Sequence, residues 1–300
     1  MAGWRPVLVV AAGALLLAGC TSGSDDGAGA EGKPKRSSGS PTPATPSATP
    51  VSDPYTLPEE SAPKTRAEAI AFVRELEVRP DFFGIGYRKR EPFESDPTTW
   101  AVLHEDCQWR REGLPATVLA SLTRAFELQE KNGKGSVYVS LTVTVHENAV
   151  AARRDMAGSL ESALRCPEQR LNATDVVRGL YSRVDAFTDE RNAVSDDDLA
   201  ESGEWVADGV SEAHPFDWSK FRLGPVTVAA TARHGAGRTE AEDSAVTGEM
   251  LQGVGYVAAE IDSQGDAGGA GAKDEPAETP ADTPVDTPAA TSAETEGAER

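Results

Sequence analysis

Between residues 137 and 145 the chain alternates without a break. Val137, Val139, Leu141, Val143 and Val145 are apolar, and Tyr138, Ser140, Thr142 and Thr144 between them are polar. A period of two places the two sets on opposite faces of a strand, one buried and one polar. Residues 123–129 read as its partner strand. Asn132-Gly133, lying between the two, is a hairpin-turn pair, since both residues accept positive φ. Elsewhere the period lengthens. Thr65-Arg66-Ala67-Glu68 fits a capping box, and Ala69, Ile70, Phe72, Val73 and Leu76 then form a helical face that ends at Arg79-Pro80. Asn148 caps a helix running to Arg165, with Val150, Met156, Ala157, Leu160 and Leu164 inward, and Cys166-Pro167 stops it. A late strand centres on Val226-Thr227-Val228. A last helix over 240–261 carries Met250, Val254, Val257 and Ile261 at helical spacing.

The intervening stretches are less regular. Residues 81–100, rich in Gly, Pro and aromatics, read as a long packed loop with room for a short strand. Residues 100–109 form a short element carrying Cys107, and 115–122 a helical turn. Residues 171–219 are acidic and weakly patterned, with Asp196, Asp197 and Asp198 as a helix cap or a solvated turn. The order helix, hairpin, helix, strand, helix is not a βα alternation. It argues for a single α+β domain: an antiparallel β-sheet with helices packed on one face.

The ends set the address. Arg5, an apolar run over 7–17 and small residues after it read as an export signal, too short to span a bilayer. Leu17-Ala18-Gly19-Cys20 resembles a bacterial lipobox. That resemblance implies thioether lipidation of Cys20 and cleavage before it, and so a lipid-anchored protein on the extracytoplasmic face of the cell membrane. The expected organisation is a lipoprotein signal peptide over 1–19 and a disordered Ser/Thr/Pro/Gly tether over 20–63. A globular sensor-like domain follows over 64–262, then a disordered acidic tail over 263–300. With Cys20 lipidated, the remaining two of the three cysteines, Cys107 and Cys166, are expected to pair outside the cytoplasm. A net charge of −20 argues against nucleic acid as a partner.

No catalytic spacing emerges. His104, His146, His214 and His234 have no His or Cys partner at zinc spacing. His146 reads as a satisfied core or edge histidine continuing the face of Val143 and Val145. Arg233-His234-Gly235 follows a strand as in phosphohistidine phosphatases, but Gly237 stands where their next arginine would, and no α/β alternation follows. Gly133-Lys134-Gly135-Ser136 lacks the upstream glycine of a phosphate loop, with Gln129 in that place. Phe83-Gly84-Ile85-Gly86 lacks the third glycine of a dinucleotide fingerprint. No cofactor and no metal are expected. Tyr87, Trp205 and Trp218 are the candidate cleft aromatics.

With these elements placed, the chain resembles a family. Trp100 through Cys107-Gln108-Trp109, the strand over 137–145, the helix ending in Cys166 and Pro225-Val226-Thr227-Val228 resemble the extracellular sensor domain of PknH-type mycobacterial Ser/Thr kinases. They are more similar still to uncharacterised streptomycete lipoproteins. The resemblance spans roughly residues 65–261. It implies an antiparallel sheet, flanking helices and a sizeable cleft for unidentified small ligands. The chain departs from the family in having no kinase, no transmembrane helix and no second cysteine pair in the domain. The leading expectation is a non-catalytic domain, held at the membrane by its lipid anchor, that binds a small ligand or an envelope protein. The alternatives are an envelope hydrolase using cleft carboxylates, which predicts a pocket with paired Asp or Glu of raised pKa, and a scaffold of a membrane complex, which predicts an exposed apolar patch and no cleft.

Overall fold

The computed structural model describes residues 53–183, 194–207 and 212–270. The leader, Cys20, the tether up to residue 52 and the tail beyond residue 270 lie outside the described residues. The strands are β1 (Tyr87–Glu94), β2 (Thr99–Leu103), β3 (Trp109–Gly113), β4 (Val118–Leu128), β5 (Val137–His146), β6 (Glu168–Arg170), β7 (Asp175–Arg183), β8 (Asp197–Ala207), β9 (His214–Leu223) and β10 (Val226–Arg233). The helices are α1 (Arg66–Glu75), α2 (Ala149–Arg165) and α3 (Glu240–Ala270). Eight strands form one antiparallel sheet in the order β1-β4-β5-β10-β9-β8-β7-β6, and β2 pairs with β3 as a separate hairpin.

The alternation of β5 decides how this sheet is clothed. Val137, Val139, Leu141, Val143 and Val145 are buried together with Leu122 and Phe126 of β4, Val226 and Val228 of β10, and Phe221 and Leu223 of β9. Helices α1 and α3 cover this apolar face, through Ala69 and Val73 of α1 and Met250, Val254, Val257 and Ile261 of α3. The opposite face carries the hydroxyls of β5, and α2 crosses it. Two helices therefore lie on one face, and the third stands over the other.

Polar anchors fix the helices on the apolar side. Thr65 and Glu68 complete the capping box of α1. At the other end of α1 the buried Arg124 of β4 donates to the carbonyls of Leu76 (3.1 Å) and Arg74 (3.0 Å), complementing the helix's negative terminus. His234 ties α3 to the sheet, its Nδ1 lying 2.7 Å from Asp243 and its Nε2 3.1 Å from Asp217. Asp217 also accepts from Ser202 (2.8 Å) and from Thr247 of α3 (2.6 Å). Burial alone would raise its carboxyl. The hydrogen bonds from His234, Thr247 and Ser202 outweigh that and lower it. Gly253 lets α3 approach closely, since a Cβ there would overlap the Phe83 ring.

Several elements differ from the sequence reading. Residues 115–122 are not a helical turn, because most of the stretch belongs to β4. The irregular span 171–219 contains β7, β8 and β9. Their alternation is blurred because Glu201, Asp217, Lys220 and Arg222 occupy buried positions. Asp196 and Asp197 are neither cap nor solvated turn: both pair with the buried Arg222, Asp196 at 3.0 Å from Nη1. The domain also begins earlier and ends later than 64–262. Leu57 and Ala62 are in the core, Tyr55 bridges to Ser195, and α3 runs to Ala270.

Helix α2 is turned relative to expectation. Met156 is buried as expected, with Ala151, Ala152 and Ala163, but Val150 (50%), Leu160 (41%) and Leu164 (85%) are exposed, as is Ala157. The cause is what α2 faces. Beneath it lies the hydroxyl face of the sheet, so Asp155 and Ser159 share the inner side with Met156 and the alanines, and the larger Val150, Leu160 and Leu164 are left outside.

A candidate ligand cleft

Cys107 and Cys166 form a disulfide across a Cα separation of 5.6 Å, bridging positions 59 residues apart. Cys166 is the C-cap of α2, and Cys107 lies in the turn of the β2–β3 hairpin. Three more ties join the hairpin to α2, through Arg165, and to β6 just after it, through Gln169 and Arg170. Trp109 Nε1 donates to Gln169 Oε1 (2.7 Å), Arg165 Nη2 to the Leu103 carbonyl (3.2 Å), and the Arg170 amide to the Cys107 carbonyl (2.9 Å). Helix and hairpin are thus joined into one roof over the hydroxyl face of the sheet. Between roof and floor is a cavity of about 1060 Å³, at the upper end of the ~300–1,000 Å³ usual for small-molecule sites.

Its floor follows from the even-numbered positions of β5. Thr142 and Thr144 line the cavity and bond across to Thr123 (2.8 Å) and Ser121 (2.9 Å) of β4. Ser140 lines it beside Thr231 of β10, its partner in register. His146 also belongs to this face, and this corrects the expectation that placed it with Val143 and Val145. An even-numbered residue shares the parity of Thr142 and Thr144.

A charged cluster closes one part of the cavity. Lys220 of β9 is 7% exposed and lies 2.6 Å from Asp155 of α2. It also donates to Ser159 (3.1 Å). His146 Nε2 is 3.3 Å from Asp155 Oδ2, and Thr227 donates to the same oxygen at 3.2 Å. Burial alone would raise the Asp155 carboxyl. The hydrogen bond from His146 and the Lys220 ammonium outweigh it and hold Asp155 well below the carboxylate range. Glu201 of β8 lines the same cavity and is 5% exposed. Burial dominates there, and neither the hydrogen bond from Ser182 nor Lys220 offsets it, so its carboxyl is pushed up to about 7. Arg233 is paired with Asp175 and flanked by the rings of Tyr138 (5.1 Å) and Trp205 (5.7 Å).

Of the three candidate aromatics, Trp218 lines the cavity. Tyr87 does not: it is in the core on the far side of the sheet, beside Phe83, and its buried hydroxyl has no hydrogen-bond partner among the described residues. Trp205 packs in a satellite core with Val177, Leu180 and Phe216 and donates from Nε1 to the His234 carbonyl (2.8 Å). Leu180 and Phe216, not Trp205, reach the cavity. The lining tryptophans that sequence reasoning left out are Trp100 and Trp109. Their signal was proximity to Cys107 in the chain. Glu201, Lys220 and Asp155 carried no such signal, because strand pairing and the α2 crossing bring them together.

Among the described residues no group of three or more His, Cys, Asp or Glu side chains is placed to hold a metal ion, and no helix is long and apolar enough to cross a membrane. No protein-family model matches the chain, and none of the curated proteins matches it. Among solved structures, an uncharacterized Mycobacterium smegmatis protein, the Rv0999 ortholog, is similar over 68% of this chain and 100% of its own, at 11% identity and a TM-score of 0.31.

Proposed function

We propose that this protein is an extracytoplasmic lipoprotein, held at the membrane through Cys20, whose domain binds a small ligand without transforming it. The observation that carries the binding reading is the cleft itself: a large cavity between a hydroxyl-bearing strand face and a roof pinned by Cys107–Cys166. A disulfide suits a compartment outside the cytoplasm, in keeping with the lipobox-like Leu17-Ala18-Gly19-Cys20. The sensor-domain resemblance supports the same reading. A thermal-shift screen of the full chain against envelope sugars, lipids and peptides tests the binding. At least one class should raise the Tm, and no shift from any class would contradict a small-ligand role. Mass spectrometry of the membrane-extracted protein tests the anchor. The expected species starts at an acylated Cys20, and an intact unmodified leader would contradict it.

A hydrolase is the second reading, favoured by one observation. Two carboxyls in one cavity are driven apart, Glu201 upward and Asp155 downward, as in acid–base pairs. Asp155, however, is already taken by Lys220, His146 and Thr227. It is better placed to hold the roof to the floor than to attack a substrate. Turnover of any ligand found in the screen, abolished by Glu201→Gln, would favour the hydrolase. Binding without turnover favours the sensor.

A further inference from the structure

Resting on that binding reading, we propose that the cleft takes an acidic saccharide: a short run of sugar rings bearing a carboxylate or a phosphate. The first observation is a local inversion of charge. On a chain of net charge −20, the cavity is lined by six cations, Arg110, Arg111, Arg154, Arg165, Lys220 and Arg233, against three carboxyls, Asp155, Glu161 and Glu201. A cleft of one sign concentrates ligands of the other. Four of the six are already committed to partners: Arg110 to Asp106, Lys220 to Asp155, Arg233 to Asp175 and Arg165 to the Leu103 carbonyl. Arg154, exposed on α2, makes no ion pair or hydrogen bond among the described residues. A guanidinium left open in this way matches the forked acceptors of a carboxylate or a phosphate.

The second observation concerns the body of the ligand. Three of the chain's five tryptophans, Trp100, Trp109 and Trp218, line the cavity. Flat faces with a polar edge suit a molecule that is apolar on its ring faces and polar around its rim. The floor supplies hydroxyls to meet that rim. Those of Ser140 and Thr231, adjacent on β5 and β10, have no hydrogen-bond partner among the described residues. An acyl chain laid there would strip these groups of water and return no hydrogen bond. Sugar hydroxyls would replace the water they displace.

The test is a titration of the full chain followed by tryptophan fluorescence. The probes are trigalacturonic acid, a phosphorylated maltotriose, neutral maltotriose and palmitate. At least one acidic trisaccharide should bind about tenfold or more tightly than maltotriose, and which of the two does so identifies the anion as carboxylate or phosphate. Arg154→Ala, at an exposed position with no partner among the described residues, should weaken that probe about tenfold and leave maltotriose unchanged. Thr231→Val should weaken both sugars and spare palmitate. Equal binding of maltotriose and the acidic probes, binding of palmitate alone, or indifference to Arg154→Ala would overturn the inference while leaving a binding cleft in place. Silence from all four probes would also overturn it, and the wider thermal-shift screen then decides the binding reading separately.

Discussion

Asp155 and Glu201 share a cavity and answer to pH in opposite directions. The Asp155 carboxyl is lowered on folding, so its contribution is complete above the ordinary range near ~4 and is lost as pH falls. Asp155→Asn would leave the Lys220 ammonium buried without its counter-charge. The expected cost is on the order of 3 kcal/mol, read from urea denaturation at neutral pH. Glu201 is raised from 4.5 to about 7. Between those values the folded chain binds more protons at this position than the unfolded chain. Stability from this group is therefore full below the lower value and declines as pH rises through the upper one. A Tm series from pH 4.5 to 7.5 should show that decline in the wild type and a flatter profile in Glu201→Gln. Identical profiles would show that Glu201 does not titrate in this window.

At the scale of elements, the disulfide is the hinge on which the cleft depends. Closing a 59-residue separation stabilises the fold by about 4 kcal/mol in the chain-entropy model, but its local effect is more telling. The double variant Cys107→Ser, Cys166→Ser should increase hydrogen exchange in β2, β3 and the last turn of α2 beyond any change in β5 and β10. A uniform increase would mean that the bridge braces the whole domain and not the roof.

The same elements show what the sequence could and could not say. β5, its turn, α1 and α3 were legible because one face of each meets a continuous apolar core, and a core leaves its period in the chain. The turn pair carries positive φ at both Asn132 (55°) and Gly133 (77°). The element α2 was legible as a helix but not in its rotation, because Asp155 and Ser159 face the cavity beside Met156 and small alanines, while the larger Val150, Leu160 and Leu164 stay outside. The strands β7, β8 and β9 were hidden for a related reason: buried ion pairs such as Arg222 with Asp196 and Lys220 with Asp155 place charge where apolar residues would mark a strand. The cleft residues were the least legible. Trp218 was reached by composition, whereas Tyr87 and Trp205 are aromatics that the two cores consume.

For the molecule as a whole, the sheet separates two kinds of work. Its apolar face, under α1 and α3, holds the fold together. Its hydroxyl face, among the described residues, carries a pinned roof with a cavity of about 1060 Å³ beneath it. The central claim is that the space is kept for a ligand. Ala229 lies on the cavity floor between Thr142 and Lys220 in register, where a large side chain would occupy the cavity and leave the opposite core untouched. Native mass spectrometry is the direct test: the wild type and Ala229→Trp are each incubated with a soluble extract of the cell envelope. The wild type should carry a non-covalent small-molecule adduct that the variant lacks. Ligand-free masses for both proteins, or the same adduct on both, would contradict the account.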